Sequence, residues 1–281
     1  MFLGIDAGNA RAKVAGPAGC IDFDAALGEY RQRNLTSSHG PDDMEIEYQG
    51  KRFFAGSLAR NESEFGGCLM GDSKAHADAR LRVLIALARY NAAEVSIVVG
   101  QPISRHTAEE KQKIKQMLQG CHDLTVNGLR HRIAILRCEV AAEGASAIWA
   151  APAGAQAGLV HILDVGSGTV NGATVCDRRY VDRDSWTLSF GLHTNKSTDR
   201  SAMADGIARE ALKKWGRGDR VLLVGGGAEE IVNHIQRHFP GAEILRPVLH
   251  GQQLHPIYAN SIGYYQIARG IYATDRQVGR L

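Results

Sequence analysis

The chain has 281 residues, 44% of them hydrophobic and 22% charged, which suits a soluble globular protein of one large or two ordinary domains. A net charge of +3 without a long basic run argues against a dedicated nucleic-acid binder, and no apolar stretch reaches the roughly 18 residues of a membrane span. Five cysteines (Cys20, Cys68, Cys121, Cys138, Cys176) are odd in number and never form a C-x-x-C pair, so reduced thiols in a cytoplasmic protein are expected rather than disulfides or zinc.

A strand opens the chain with no basic lead before it, so no secretory leader is expected. Residues 1–16 read as a hairpin: Leu3-Gly4-Ile5-Asp6 is apolar and ends in a carboxylate, Ala7-Gly8-Asn9 turns, and Lys13-Val14-Ala15 returns. A polar, turn-rich stretch runs from about Thr36 to Asp43. Met44 to Phe54 alternates with period two around Gln49-Gly50, the pattern of a strand pair. Lys74 to Asn91 carries Ala79, Leu81, Val83, Leu84, Leu87 and Ala88 at helical spacing, and Val95 to Gly100 is a buried-strand run. Thr107-Ala108-Glu109-Glu110 has the capping-box pattern of a helix start. Arg132 to Cys138 reads as a strand and Glu143 to Ala151 as a short helix of small residues. Strands at 159–165, 170–176 and 179–183, a helix near 203–215 and a strand at 220–224 follow. Gly225-Gly226-Gly227, a helix to His238, the short strand 243–245 and a closing helix from Asn260 complete the chain. Hairpins alternating with helices, twice over, predict α/β architecture with mixed sheets.

The opening pattern recurs as Ile162-Leu163-Asp164-Val165-Gly166-Ser167-Gly168-Thr169, with apolar residues resuming at Gly172-Ala173-Thr174-Val175. Each copy is a strand ending in Asp and a Gly-rich turn, which brings backbone N–H groups close to an anion and leaves a carboxylate for a hydrated cation. Two copies imply two related lobes facing one nucleotide-phosphate site. Val221-Leu222-Leu223-Val224 leads into Gly225 to Gly227, a turn that either lets a ring or ribose lie on bare backbone or simply joins strand to helix. Eleven histidines include no H-x-x-x-H pair on a clear helix, so no metal cluster is argued; His106, His122 and His131 read as surface or turn residues. Ser37-Ser38 and Ser189 have no nucleophile-elbow context. Trp186, Leu188 and Phe190 alternate as a strand packing inward or against a subunit, and Tyr264-Tyr265 reads as packing.

The two turns, Glu143-Gly144-Ala145-Ser146-Ala147 between them, the Gly-Gly-Gly turn and Ala259-Asn260-Ser261-Ile262-Gly263-Tyr264 together resemble the actin superfamily. Within it the order is similar to the bacterial plasmid-segregation actins, the ParM/StbA-like group, over nearly the whole chain. The resemblance implies an actin-like, ribonuclease H-like duplicated two-domain ATPase fold. The first lobe would span 1–150 with an outer subdomain at about 20–90. The second would span 151–281, its C-terminal helix returning to the first. Asp164 and Gly225 stand too close in sequence for the subdomain that relatives insert there, so the second lobe's outer subdomain is expected to be reduced or missing.

By the same resemblance, Asp6, Gly8, Asn9 and Ala10 form the first phosphate loop, Asp164, Gly166, Ser167, Gly168 and Thr169 the second, and Gly225, Gly226 and Gly227 the adenosine turn. ATP, or alternatively GTP, would bind with Mg²⁺ held by Asp6 and Asp164 mainly through water. Lys13 either reaches phosphate oxygens or is a solvated edge lysine, and Arg11 either touches phosphate or faces solvent. Glu143, where relatives carry the residue that positions the attacking water, is expected to be catalytic with Asp6 and Asp164; as a first-turn carboxylate it would only complement a helix dipole. The implied function is an ATP hydrolase that polymerises with itself into a cytoskeletal filament for plasmid partition. Segment 36–70 would be a subunit contact, a centromere-binding adaptor the partner, and any DNA link indirect. The alternatives are a small-molecule kinase similar to type III pantothenate kinase and a nucleotide-bound regulatory scaffold with negligible hydrolysis.

Overall fold

A computed structural model of the protein describes residues 1–67 and 73–278; Cys68 lies outside the described residues. Two sheets carry the architecture. The first holds nine strands in the described residues: β1 (Phe2–Ala7), β2 (Arg11–Gly16), β3 (Gly19–Asp24), β4 (Leu27–Glu29), β5 (Met44–Tyr48), β6 (Lys51–Ala55), β7 (Glu94–Gln101), β8 (Gly120–Val126) and β9 (Leu129–Ala142). The second holds five: β10 (Leu159–Val165), β11 (Val170–Cys176), β12 (Arg179–Leu188), β13 (Val221–Val224) and β14 (Glu243–Ile244).

The repeated sequence pattern is a repeated fold. Strand order β3-β2-β1-β7-β9 in the first sheet is matched by β12-β11-β10-β13-β14 in the second. In both modules the first three strands are antiparallel and the last two pairings parallel. Beyond β9 the first sheet continues through β8, β5, β6 and β4, an extension without a counterpart in the second. Between β12 and β13 the only helix is α4 (Arg200–Ala211), capped by the Asp199 side chain accepting from Ser201 and Ala202 N–H.

Buried strands explain the continuous apolar runs. A short helix, α1 (Ser57–Glu62), follows β6. Leu3, Ile5, Val95 and Ile97 pack under α2 (Ala77–Arg89), while Leu163, Val165, Val221 and Leu223 pack with α4 and α5 (Ala228–Ile235). Each fully buried aliphatic side chain contributes about 1.5–3 kcal/mol relative to exposure, so both sheets have cores of their own. Trp186 turns inward, its ring 5.4 Å from that of Trp215. The last helix, α6 (Ala259–Val278), lies on β1. Contact is backbone to backbone: a Cβ on Gly4 would stand 2.1 Å from the Ser261 carbonyl oxygen and 2.2 Å from Tyr265 N. Tyr264 is fully buried beneath this contact, and Tyr265 packs with Ala15, Leu249 and Ile262.

Several elements differ from the sequence reading. Residues 143–151 do not form an α-helix: β9 runs on to Ala142, Gly144 turns at φ 76°, and Ala145–Ala150 is a short 3₁₀ stretch packed against α6. Glu143 therefore sits just past a strand end rather than in the first turn of an α-helix. The strand expected at 132–138 extends over β9 because β8 pairs along it, and β8 itself is hidden by its polar Cys121-His122-Asp123 sequence. His122 is bonded between Tyr48 Oη (3.0 Å) and the Leu118 carbonyl (2.8 Å), and His106 between turns meets the Val140 carbonyl at 3.2 Å, so neither is a free surface residue. His131 lies on β9 opposite Leu124. Thr107 caps α3 (Ala108–Leu118) by accepting from Glu110 N–H, while the Glu110 carboxylate accepts from Ser73 and Lys113. No helix among the described residues is long and apolar enough to cross a membrane.

Candidate functional site

The hairpin that opens each module places its functional residues by register alone. Antiparallel pairing sets Asp6 opposite Lys13 on β1 and β2, and Asp164 opposite Asn171 on β10 and β11. Opposed residues in such a ladder hold their side chains within contact range. Lys13 Nζ accordingly lies 3.0 Å from Asp6 Oδ2, an ion pair largely screened from water. At the equivalent place Asn171 turns away from Asp164 and donates its amide to Glu143 Oε2 at 3.1 Å. The same position in the two copies thus carries a cation in one lobe and, in the other, a bridge to Glu143 at the end of β9.

Between the modules lies a cavity of about 250 Å³. Asp6, Gly8, Asn9, Ala10 and Lys13 line it from the first module, and Asp164, Gly166 to Thr169, Gly225 and Gly226 from the second, with Glu143 among them. Gly227 is not part of the lining. A Cβ there would stand 2.6 Å from Val165 Cγ1 and 2.9 Å from Leu192, so this glycine serves the close passage of α5 over β10. Gly225, at φ 89°, is equally crowded, with Val165 O and Asp164 Oδ1 at 2.6 and 2.7 Å from a Cβ. Gly226 alone of the three faces open space, its nearest neighbour being Ile257 Cδ1 at 3.8 Å.

The second turn is shaped by a segment the sequence did not flag. Leu192 N–H donates to the Gly166 carbonyl (3.0 Å), His193 N–H to that of Ser167 (2.9 Å) and Thr194 Oγ1 to that of Gly168 (3.1 Å). A trans peptide directs its N–H opposite its carbonyl. With three carbonyls engaged from behind, the N–H groups of Ser167, Gly168 and Thr169 are directed away from that segment, toward the cleft side of the turn. In the first turn Asn9 Oδ1 accepts from Nη1 of the fully buried Arg82 at 3.0 Å. Arg11 is held at the cavity rim by Asp22 and by Asp42 (3.7 Å), so it does not point freely to solvent.

Three carboxylates, Asp6, Asp164 and Glu143, are at most 7% exposed and face the same cavity. Burial, opposed by the Lys74 ammonium and reinforced by Asp6 and Asp164, pushes Glu143 up to about 7. Burial likewise raises Asp164 to about 6, against the hydrogen bond from Asn260. Asn260 is a tether between lobes: its Nδ2 donates to Asp164 Oδ2 at 2.8 Å and its Oδ1 accepts from Gly144 N–H at 3.0 Å. Acids crowded and buried in this way favour a divalent cation. The two strand-end aspartates, Asp6 and Asp164, are oxygen donors that suit a cation keeping most of its waters, such as Mg²⁺.

Sequence reasoning missed five residues of the site. Lys74, on the segment entering α2, is 8% exposed and lies 4.0 Å from Glu143 Oε1. Asn171, Leu192 and His193 carry no periodicity or motif that would single them out. Asn260 carries no signal of its own within the run Ala259 to Tyr264.

The sequence profile of the N-terminal domain of actin like proteins matches residues 4–145, just over half of the chain. The chain therefore belongs to the actin-like protein family. No curated protein matches its sequence. Among solved structures, the AlfA filament bound to AMPPNP is similar at 20% identity and a TM-score of 0.77, with 98% of each chain covered. Ta0583, an archaeal actin homolog, in complex with ADP is similar at 19% identity and a TM-score of 0.73, covering 96% of this chain and 99% of that one. The apo psk41 ParM protein follows at 14% identity and 0.72, covering 98% and 99%. At these identities the likeness concerns the fold, which is actin-like over the whole length.

Proposed function

We propose that the cavity binds ATP with Mg²⁺, that the loaded chain polymerises head to tail, and that hydrolysis within the filament limits its life. One observation carries this reading: two copies of one module bring two Gly-rich turns and two strand-end aspartates onto opposite walls of a single cavity. The N–H edges of Ser167 to Thr169 and the ammonium of Lys13 suit phosphate oxygens. Gly226, the one open glycine of its turn, is the surface for the nucleoside. Asp6 and Asp164 would hold Mg²⁺ through its waters, and the bound ion would neutralise charge on the phosphates.

Glu143 would accept a hydrogen bond from the attacking water. Asn171 holds its carboxylate from the second lobe, while Asn260 anchors the neighbouring Gly144. Little covalent chemistry is asked of the protein in such a transfer; positioning and charge suffice. Because Asn171 and Asn260 reach Glu143 and Gly144 from outside the first sheet, relative movement of the lobes would change the catalytic geometry. That coupling suits an enzyme whose hydrolysis depends on assembly.

Filament formation is supported by the AlfA neighbour, whose structure is a filament, and by the exposed apolar side chain of Phe65 (85%) in the outer part of the first lobe. Non-closing head-to-tail contacts generate open helical polymers. Plasmid partition in the cytoplasm, through a centromere-binding adaptor and with DNA reached only indirectly, is the role this reading assigns. The test is 90° light scattering and phosphate release with ATP and Mg²⁺, with and without pantothenate as acceptor. A rise in scattering followed by phosphate release supports the reading. Product formation that requires the acceptor, with flat scattering, refutes it in favour of a kinase.

A further inference from the structure

We propose that Lys74 is the residue that distinguishes a nucleoside triphosphate from a diphosphate, by contacting the terminal phosphate. The proposal rests on the nucleotide reading above. Three cationic side chains line the cavity in the described residues: Lys13, Arg11 and Lys74. Lys13 and Arg11 are each hydrogen-bonded to a carboxylate. Lys74 is different. Its Nζ donates to the Ala7 carbonyl at 3.2 Å, and its nearest carboxylate oxygen, Glu143 Oε1, stands at 4.0 Å, an ionic neighbour beyond hydrogen-bond reach.

An ammonium has three N–H donors, and burying them unmatched is costly. Among the described residues, only the Ala7 carbonyl accepts from this one. The cavity that Lys74 lines can supply the missing acceptors if it receives an oxyanion. Glu143 fixes which oxyanion. If Glu143 orients the attacking water, the phosphate under attack is the terminal one, and Lys74 flanks that carboxylate on the side of the first turn.

The position is built rather than incidental. Lys74 N–H donates to Gln101 Oε1 at 2.8 Å, and Gln101 is fully buried at the end of β7. The Gln101 amide donates in turn to Ser73 Oγ and to Glu110 Oε2, both at 3.3 Å, while Ser73 Oγ donates to Glu110 at 2.5 Å. This network pins residues 73–74 to the end of β7 and the first turn of α3, so the ammonium is held over the first turn by backbone as well as by its side chain. A flexible surface lysine would show none of this.

The experiment is calorimetric titration of wild type, Lys74→Met and Lys74→Gln with AMPPNP and with ADP, each with Mg²⁺, under conditions that do not polymerise. A charge-assisted hydrogen bond to phosphate corresponds to roughly 10- to 100-fold in affinity. Lys74→Met is expected to lose about that factor for AMPPNP and less than about threefold for ADP. Lys74→Gln is polar but uncharged and is expected to show the same selective loss should the methionine variant not fold. Equal losses for both nucleotides, or none, would overturn the assignment. Wild type binding neither nucleotide would instead overturn the nucleotide reading itself, and the role of Lys74 with it.

Discussion

Replacing Glu143 with Gln should remove a pH-dependent strain from the nucleotide-free protein, and the size of that strain follows from the site. The carboxyl is buried, pushed up to about 7 from an ordinary value of 4.5. Lys74 pulls in the opposite sense, Asp6 and Asp164 add to the rise, and Lys13 and Tyr264 complete the charged and titratable groups that share this surrounding. A folded-state value above the unfolded one means that the fold prefers the protonated acid. Stability is then highest below the unfolded value, falls as pH rises toward 7, and is level above it. Each unit of displacement corresponds to about 1.4 kcal/mol, so the loss is on the order of 3 kcal/mol. Glutamine keeps the shape and cannot ionise. Urea unfolding of both proteins at pH 5, 6, 7 and 8, without nucleotide or Mg²⁺, should show the variant gaining about 2–3 kcal/mol on wild type between the extremes. A stability difference that does not change with pH, or that moves the other way, would refute the argument that Glu143 is buried without adequate compensation.

Other consequences are simpler to read. Asn260→Ala removes both the donor to Asp164 and the acceptor for Gly144, which should cost about 2–4 kcal/mol in urea unfolding. Gly4→Ala forces a Cβ into the backbone of α6, where neither wall can yield; a loss above about 2 kcal/mol is expected in the same assay. Gly226→Val has room to fold but fills the open face of its turn. Its melting should stay within about 1 kcal/mol of wild type while nucleotide binding measured by calorimetry is lost. A Gly226→Val protein that still binds would place the nucleoside elsewhere.

The parts of the fold written in short-range pattern were legible. Leu3 to Asp6 and Ile162 to Asp164 announce themselves because a buried strand needs consecutive apolar residues, and a carboxylate at its end stands out. Thr107 and the Gln49-Gly50 turn carry local chemistry that depends on few neighbours. What failed was set by partners far away in sequence. Glu143 reads as opening a helix because alanines favour helices, yet the approach of α6 confines those alanines to a tight 3₁₀ stretch. Strand β8 looks polar because Cys121 and Asp123 face outward, and only its pairing with β9 reveals it. Asn171 became visible only when the register placed it opposite Asp164, the seat that Lys13 holds opposite Asp6. Lys74 carries no signal at all in one dimension. Its backbone N–H is held by Gln101, which lies 27 residues further along the chain.

The most direct test is a crystal structure of the chain with AMPPNP and Mg²⁺. The account predicts phosphates between Gly8 to Ala10 and Gly166 to Thr169, a hydrated ion between Asp6 and Asp164, and the nucleoside on Gly226. A nucleotide bound outside this cavity, or a metal ligated directly by Glu143 with the two turns empty, would contradict it.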